Sequence, residues 1–318
     1  MKNLPLIVIL GPTASGKTHL ATHLAHQIQG EIISADSRQV YRGMNIGTGK
    51  DLNEYRIGNQ LIQYHLIDIL DAGNQYHIHQ FQQDFQKVFE DITSRNKSAI
   101  LCGGSGMYLE SVLKGFEFTA IPIDENLREE LDKKTYDELN LINAGWVKPT
   151  VELPASVALA FNPDLSTKKR TIRAIEISQF LSQNPNYQIP KPSIPNAIIF
   201  GLNPETEIRR ISITKRLHER LQNGMIEEVE ALIDSGISPN KLIFYGLEYK
   251  FITQYLTGEL TYEMMVERLN VAIHQFSKRQ MTYFRKMERD GLKINWLSNN
   301  LPFNKKIDEI IAKIFAII

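Results

Sequence analysis

Near the amino end, Gly11-Pro12-Thr13-Ala14-Ser15-Gly16-Lys17-Thr18 satisfies every constrained position of G-x-x-x-x-G-K-[ST]. Residues of these types at this spacing make an anion cradle. The glycines let backbone N–H groups turn inward, and a helix starting behind them adds its partial positive charge. Lys17 supplies an ammonium for an outer phosphate, and the Thr18 hydroxyl can hold Mg²⁺. The motif specifies a phosphate or diphosphate; it does not specify ATP. A nucleotide-hydrolysing motor would carry an aspartate at the end of a later apolar strand. Here that strand runs into Cys102-Gly-Gly-Ser-Gly-Met-Tyr108, with no acid. The acid comes earlier, as Asp36 in Ser34-Ala-Asp36-Ser37-Arg38-Gln39. At a strand end beside the phosphate loop it suits a general base or a substrate ligand, and on spacing alone it equally suits a turn cap.

The basic residues are unevenly spread. Residues 165–175 hold Lys168, Lys169, Arg170 and Arg173 with no acid among them. Residues 278–289 hold Lys278, Arg279, Arg285, Lys286 and Arg289 against Glu288 alone. Over the whole chain, 36 basic residues balance 36 acidic ones, which excludes a globally basic nucleic-acid binder but leaves room for local phosphate-gripping stripes. On a helix, Lys169, Arg170 and Arg173 share a face.

These groups must be positioned by ordinary globular elements. A 318-residue chain with 42% hydrophobic and 23% charged residues is neither disordered nor fibrous. No apolar run approaches the ~20 residues of a membrane span. The run Leu4–Leu10 reads as a buried first strand rather than a leader. The lone Cys102 can form no internal disulfide or cysteine metal cluster, which suits a reducing cytoplasm, and it reads as a small buried hydrophobe. His77 and His79 lack a third ligand at zinc spacing.

Strands are predicted at Leu6–Leu10, Glu31–Ala35, Ala99–Cys102 and Ala197–Phe200, with helices at Lys17–Ile28 and Gln80–Thr93 between them. Short apolar strands alternating with helices imply an α/β fold, a parallel sheet covered on both faces. Residues 122–164, charged and helical and then broken by Gly145, Pro149, Pro154 and Pro163, read as a mainly helical inserted subdomain. The core is then 1–121 with 165–318. A helix is predicted from Ser166 to Leu181. One helix or helix pair is striped by Ile208, Ile211, Leu217, Leu221, Val229 and Leu232. Another is striped by Met265, Leu269, Ile273, Phe276, Tyr283 and Met287, and a terminal amphipathic helix runs through Ile307, Ile310, Ile311, Ile314 and Phe315 to Ile318.

Taken in order, the motifs resemble the tRNA dimethylallyltransferase (tRNA isopentenyltransferase) family. The resemblance rests on Gly11–Thr18, on Asp36-Ser-Arg-Gln-Val-Tyr-Arg-Gly-Met-Asn-Ile-Gly-Thr48, on His65-Leu-Ile-Asp68 and on Gly103-Gly-Ser-Gly-Met-Tyr108. It continues through Arg170-Thr-Ile-Arg-Ala-Ile-Glu176, Asn223-Gly-Met-Ile-Glu-Glu-Val229, Tyr245-Gly246, Leu256-Thr-Gly258 and Ser277-Lys-Arg-Gln-Met-Thr-Tyr-Phe-Arg285. The segment Asp36–Thr48 is far more specific than the phosphate loop, which many families share. Ser105, Ser212 and Tyr283 stand where the family usually has threonine, arginine and tryptophan. Tyr245-Gly246-Leu247 replaces a typical Gly-Tyr pair, and residues between Arg128 and Lys169 match poorly.

The resemblance implies a phosphate-loop α/β fold and transfer of a dimethylallyl group from dimethylallyl diphosphate to the exocyclic amine of the adenosine 3′ of the tRNA anticodon. It implies Asp36 as general base, Gly11–Thr18 as the diphosphate cradle, and Arg216 with Lys17 on the leaving group. It further implies tRNA contacts at Asp36, Ser37, Arg38, Gln39, Ser105, Arg128, Lys169, Arg170, Thr171, Ile172 and Arg173. Mg²⁺ with Thr18 as a ligand, a cytoplasmic monomer and no membrane partner complete the expectation. Two other classes fit parts of the chain: a small-molecule kinase, from the first thirty residues, and a nucleotide-regulated RNA-binding protein without catalysis.

Overall fold

The computed structural model describes residues 4–147 and 165–316. The element that dictates the architecture is Leu6-Ile-Val-Ile-Leu10, strand β1, whose five residues are all buried. Its side chains alternate between two cores: Leu6, Val8 and Leu10 face one, Ile7 and Ile9 the other. A strand apolar on both faces belongs inside a covered parallel sheet. Each such side chain contributes roughly 1.5–3 kcal/mol by leaving water.

The other strands of the main sheet are β2 (Glu31–Ser34), β3 (Tyr64–His65), β4 (Ala99–Gly103), β5 (Ala197–Leu202) and β6 (Ile294–Leu297). They form one six-stranded sheet in the order β6-β5-β1-β4-β2-β3, and every pairing is parallel. Helices α1 (Lys17–Ile28) and, at the carboxyl end, Phe303–Phe315 cover one face through Leu20, Leu24, Ile307, Ile310 and Ile314. Helices α2 (Ile78–Ser94) and α3 (Gly106–Lys114) cover the other through Phe81, Phe85, Leu109 and Val112.

The chain divides into two compact units, Met1–Gly115 with Ser193–Ile318, and Phe116–Pro192. The second unit holds α4 (Glu125–Asp132), α5 (Tyr136–Val147) and α6 (Lys168–Gln183) around Leu131, Leu139, Ile172 and Ile175. These limits are wider than 122–164, because Ile172 and Ile175 give α6 its buried face inside this unit. The proline-bearing stretch 148–164 lies outside the described residues.

A third cluster, in the first unit, carries the remaining helices. In it α7 (Thr206–Gln222), α8 (Met225–Asp234), α9 (Leu247–Leu256) and α10 (Tyr262–Arg289) pack on Val40, Tyr41 and Met44. The 28-residue α10, about 42 Å long at 1.5 Å per residue, belongs to two clusters. Met265, Leu269 and Ile273 serve the third cluster, while Met281, Phe284 and Met287 serve the sheet.

Other differences are local. The edge strands β3 and β6 escape a periodicity reading: one has two residues, and the other interrupts its apolar run with Asn295. Ile208 and Ile211, expected in the α7 stripe, are 56% and 64% exposed. The buried face of α7 runs at i, i+4, i+8 through Ile213, Leu217 and Leu221, and the two isoleucines fall off it. Phe276 of α10 is likewise exposed, with Met281 and Phe284 taking the inward positions.

Candidate active site

Three neighbouring strands deliver the chemistry to one edge of the sheet. In the register Leu10 lies beside Gly103, and Ser34 beside Cys102, so β1, β4 and β2 end together. Their continuations are the phosphate loop, Gly103-Gly104-Ser105, and Ala35-Asp36. In open α/β sheets the carboxyl ends of the strands are where ligands bind. The loops are tightly set: the Ala35 amide donates to the Cys102 carbonyl at 2.8 Å, and a Cβ on Gly103 would collide with the Ala35 carbonyl. Ser105 Oγ accepts from the Ser37 amide at 3.2 Å. A hydroxyl is what this position uses, and serine supplies it as threonine would.

The phosphate loop has the conformation that its glycines predict. Ala14 and Gly16 have φ of 58° and 77°, both left-handed, which turns successive N–H groups toward a common point. Gln280 of α10 locks the loop to its neighbour: its Oε1 accepts from the Thr13 amide at 2.8 Å, and its Nε2 donates to the Gly104 carbonyl at 2.9 Å. Lys17 Nζ donates to the Pro12 carbonyl at 3.4 Å. Burial pulls the Lys17 ammonium below the ordinary lysine value; Arg216 adds to that, and Asp36 and Glu54 oppose it. An anion beside Lys17 would raise it again toward the ordinary lysine value. Burial pushes the Cys102 thiol up to about 12, which makes it a poor nucleophile.

The wall formed by residues 45–51 is held by side chains that motif reading did not single out. Glu228 of α8 accepts from the amides of Asn45 and Ile46, both at 2.7 Å, and of Gly47 at 3.0 Å, and also from Tyr249 Oη at 2.6 Å. Buried Lys50 donates to the Tyr41 carbonyl at 2.6 Å and to Asn45 Oδ1 at 2.9 Å, and pairs with Asp68. Gly47 has no alternative: a Cβ there would lie 2.7 Å from the Tyr249 ring. The segments Asp36–Thr48, His65–Asp68 and Asn223–Val229 are therefore one interlocked support.

Together these elements enclose a cavity of about 900 Å³. Lys17, Thr18, Asp36, Ser105 and Arg216 all line it, as do Thr13–Gly16 and Ser37–Gln39. Gly11 and Pro12 are buried and do not. Asp36 Oδ1 accepts from the Arg38 amide at 2.9 Å, an Asx turn that aims the carboxylate. The turn-cap and functional readings of Asp36 are thus compatible. Further ionisable side chains line the cavity, among them Asp51, Glu54, Arg220 and Glu248. Burial raises the carboxyls of Glu54 and Glu248 above the ordinary glutamate value, and Asp51 adds to the effect at Glu54. Arg216 and Arg220 lie one helical turn apart on α7, a spacing that the sequence does display.

The remaining expected tRNA contacts all lie in the second unit, and the structure changes their reading. Thr171 and Ile172 are buried: the Thr171 hydroxyl is given to the Leu165 and Thr167 carbonyls, and Ile172 to packing. Neither can meet a polynucleotide while this core stays closed. Arg173 donates to the carbonyls of Phe118 and Ile121 at 3.0 and 2.7 Å and pairs with Glu176. Arg128 pairs bidentately with the same carboxylate at 3.0 and 2.9 Å. Glu176, 2% exposed, ends the acid-free stripe one turn after Arg173. Lys169 and Arg170 keep exposed positions.

The IPP transferase family model matches residues 39–287. Among curated relatives, a tRNA dimethylallyltransferase 1 of Parabacteroides distasonis is 48% identical over 308 residues, 96% of each chain. A tRNA dimethylallyltransferase 2 of Bacteroides fragilis is 46% identical over 99% of each. Among solved structures, the tRNA isopentenylpyrophosphate transferase of Bacillus halodurans is 30% identical with a TM-score of 0.69, covering 98% of this chain and 96% of that one. A eukaryotic dimethylallyltransferase acting on tRNA, 21% identical, shares the fold with a TM-score of 0.74 over 98% of this chain and 79% of its own. With a phosphate loop, an aspartate and an arginine gathered in one cavity, and with relatives matched from end to end, this chain belongs to the IPP transferase family.

Proposed function

We infer that the chain is a tRNA dimethylallyltransferase. It moves a dimethylallyl group from dimethylallyl diphosphate to the exocyclic N6 amine of the adenosine 3′ of the anticodon, and releases diphosphate. One observation carries this reading: the Asp36 carboxylate lines the same cavity as Lys17, Thr18 and Arg216. Two chemical difficulties are met at once. The amine of adenine is a weak nucleophile because its lone pair is delocalised into the ring, and a carboxylate placed to take its proton offsets that. Diphosphate leaves readily only when its developing charge is neutralised, and cations with inward-turned amides do so.

The atoms balance. The N6 lone pair forms a bond to C1 of the dimethylallyl group as the C1–O bond breaks, its electron pair leaves on diphosphate, and the N6 proton passes to Asp36. About 900 Å³ accommodates a purine, a five-carbon chain and a diphosphate together, so the target base turns out of the anticodon-loop stack to enter. Ser105, whose hydroxyl already holds the Asp36 loop, and Arg38 and Gln39 border the place the nucleotide takes.

The lining also fits Mg²⁺. Its donors next to the phosphate loop are oxygens, the Thr18 hydroxyl and nearby carboxylates, the set a hard cation prefers. Thr18 would hold the ion with the diphosphate, where it supplies charge neutralisation to the leaving group. Exposed Lys169 and Arg170 are assigned to tRNA phosphates. The reaction is assigned to the cytoplasm, where the tRNA substrate is found. No helix among the described residues is long and apolar enough to cross a membrane.

The test is direct. The chain is incubated with Mg²⁺, unmodified tRNA and labelled dimethylallyl diphosphate, and label is sought in the tRNA. Label at the adenosine beside the anticodon supports the reading. Phosphoryl transfer from ATP with no prenyl transfer would make the chain a kinase, and tRNA binding without either would make it a binding protein.

A further inference from the structure

Arg216 does not stand alone in the cavity wall. Its Nη2 bonds Asp51 Oδ2, and Arg220 Nη2 reaches both oxygens of the same carboxylate, at 3.2 and 3.3 Å. The two guanidiniums project from one face of α7, four residues apart. Asp51 approaches them from a separate segment, at the end of the loop that Glu228 and Lys50 secure. Its backbone is left-handed, with φ 43°, a conformation that aspartate adopts more readily than most non-glycine residues. Gly49, also left-handed at φ 67°, brings the main chain against both guanidiniums; a Cβ there would strike Arg220 Nη2 and lie 3.0 Å from Arg216 Nη2. A left-handed aspartate and a space-limited glycine, two residues apart, both adjoin one pair of arginines.

Exposure grades the three side chains. Arg220 is 14% exposed, Arg216 30% and Asp51 34%. The deepest cation therefore anchors the carboxylate, and the carboxylate in turn holds the more accessible cation. A planar guanidinium offers five N–H donors. Asp51 engages Arg216 through Nη2, which leaves the other nitrogens of its fork to face a ligand. Burial alone would lift the Asp51 carboxyl, but Arg216 and Arg220 hold it below the ordinary aspartate value, so it stays an anion at neutral pH.

We propose that Asp51 is a positioning residue: with Arg220 as its fixed anchor, it orients Arg216 so that the remaining N–H groups of that guanidinium meet the diphosphate of the prenyl donor. The proposal rests on the prenyl-transfer reading for the identity of the anion. Asp51 itself touches no substrate and acts through Arg216. A freely rotating arginine would lose rotamer entropy on each binding event, and a held one does not.

The experiment measures binding of inorganic diphosphate to the full chain by calorimetry, with Mg²⁺ present. It compares the wild type, Asp51→Asn, Arg216→Ala and the double variant. Asp51→Asn keeps the shape and removes the charge, so Kd should rise about tenfold, the order of one charge-assisted hydrogen bond. If Asp51 works through Arg216, the double variant should bind no more weakly than Arg216→Ala alone. In steady state, KM for dimethylallyl diphosphate should rise while KM for tRNA holds. Asp51→Glu, which restores the carboxylate, should recover part of the loss, and thermal melting within a few degrees of wild type checks the fold of each. Should Asp51→Asn melt early, the recovery by Asp51→Glu and the KM split still decide the matter. Unchanged or tighter diphosphate binding in Asp51→Asn would overturn the proposal, the second because it would make Asp51 a competitor of the ligand. Additive losses in the double variant would overturn it too. A wild type that binds diphosphate yet transfers no prenyl group would sink the activity and leave the positioning role standing.

Discussion

Two arginine–carboxylate networks in this molecule use the same chemistry to opposite ends. In the second unit, Arg128 and Arg173 converge on Glu176, a carboxylate 2% exposed that also accepts the Asp124 amide at 2.7 Å. Arg173 also donates to three carbonyls: Nη1, which pairs with Glu176, reaches Pro122, and Nη2 reaches Phe118 and Ile121. These groups are consumed internally, and the product is structure. In the cavity, Arg216 and Arg220 converge on Asp51, a third exposed, and the network opens onto about 900 Å³ of space. An arginine is read as functional or structural by whether its fork is spent. Type and spacing alone cannot make that distinction.

Neutralising one acid on each side should break the comparison most visibly. Asp36→Asn should lower single-turnover transfer by about 10²–10⁴-fold, the range for a lost general base, with melting and both substrate affinities nearly unchanged. Near-normal transfer would remove Asp36 from the proton path. A loss traceable wholly to weaker diphosphate binding would make it a Mg²⁺ ligand instead. Glu176→Gln should do the reverse. Leaving two half-buried guanidiniums against a neutral amide should destabilise the second unit by about 3 kcal/mol. Hydrogen exchange in residues 168–183 would report it, and wild-type protection there would show the network to be ornamental.

Glu176 adds a pH dependence. Burial pushes its carboxyl up, but Arg128 and Arg173 outweigh that and hold it below the ordinary glutamate value. The unfolded chain therefore takes up its proton first as pH falls. The stability is fully present above the ordinary glutamate range and is lost as pH drops through the depressed folded value. Exchange protection of α6 followed in acid should fade over that interval in the wild type and show no such step in Glu176→Gln.

Lys17→Ala comes next in size. A point charge on the leaving group is worth more in the transition state than in the ground state, so kcat should fall by roughly 10²-fold. Transfer at the wild-type rate would reduce the phosphate loop to a structural turn.

Much of this is legible in the chain. The strands β1, β2, β4 and β5 declare themselves as short apolar runs, Lys17 lies inside a motif of constrained spacing, and Asp36 and Arg216 are picked out by the family resemblance. What escapes has a common cause. Asp51, Arg220, Glu228 and Gln280 act largely by pairing across 165 to 267 positions of sequence, and nothing local announces such a pair. Glu176 is the acid within reach of local inspection, three residues after Arg173 on the same helix. A basic stripe drawn from 165 to 175 stops one residue short of it. Thr171 and Ile172 show the converse: a helix that carries exposed cations on one face must bury the other, so the residues between the cations belong to the core.

The smallest expected effect sharpens the comparison furthest. If Arg128 and Arg173 are committed to Glu176, the tRNA phosphates expected at this unit fall to the exposed Lys169 and Arg170, the latter already bonded to Ser166 Oγ at 2.8 Å. Alanine at both should lower the log–log slope of tRNA affinity against salt by about 1.4–1.8, at roughly 0.7–0.9 for each phosphate left without its cation. Substitution of Arg173 should instead lower the melting temperature and leave the slope almost alone, because its N–H donors are already committed to Glu176 and to backbone carbonyls within the unit. The measurement is tRNA affinity by filter binding across a salt series, with melting recorded for each variant. A slope change near one unit for Arg173→Ala, in a chain that still melts normally, would mean that tRNA draws Arg173 away from Glu176. The closed network would then be a resting state that opens on binding, and the distinction between a spent and an unspent fork would hold only in the absence of tRNA.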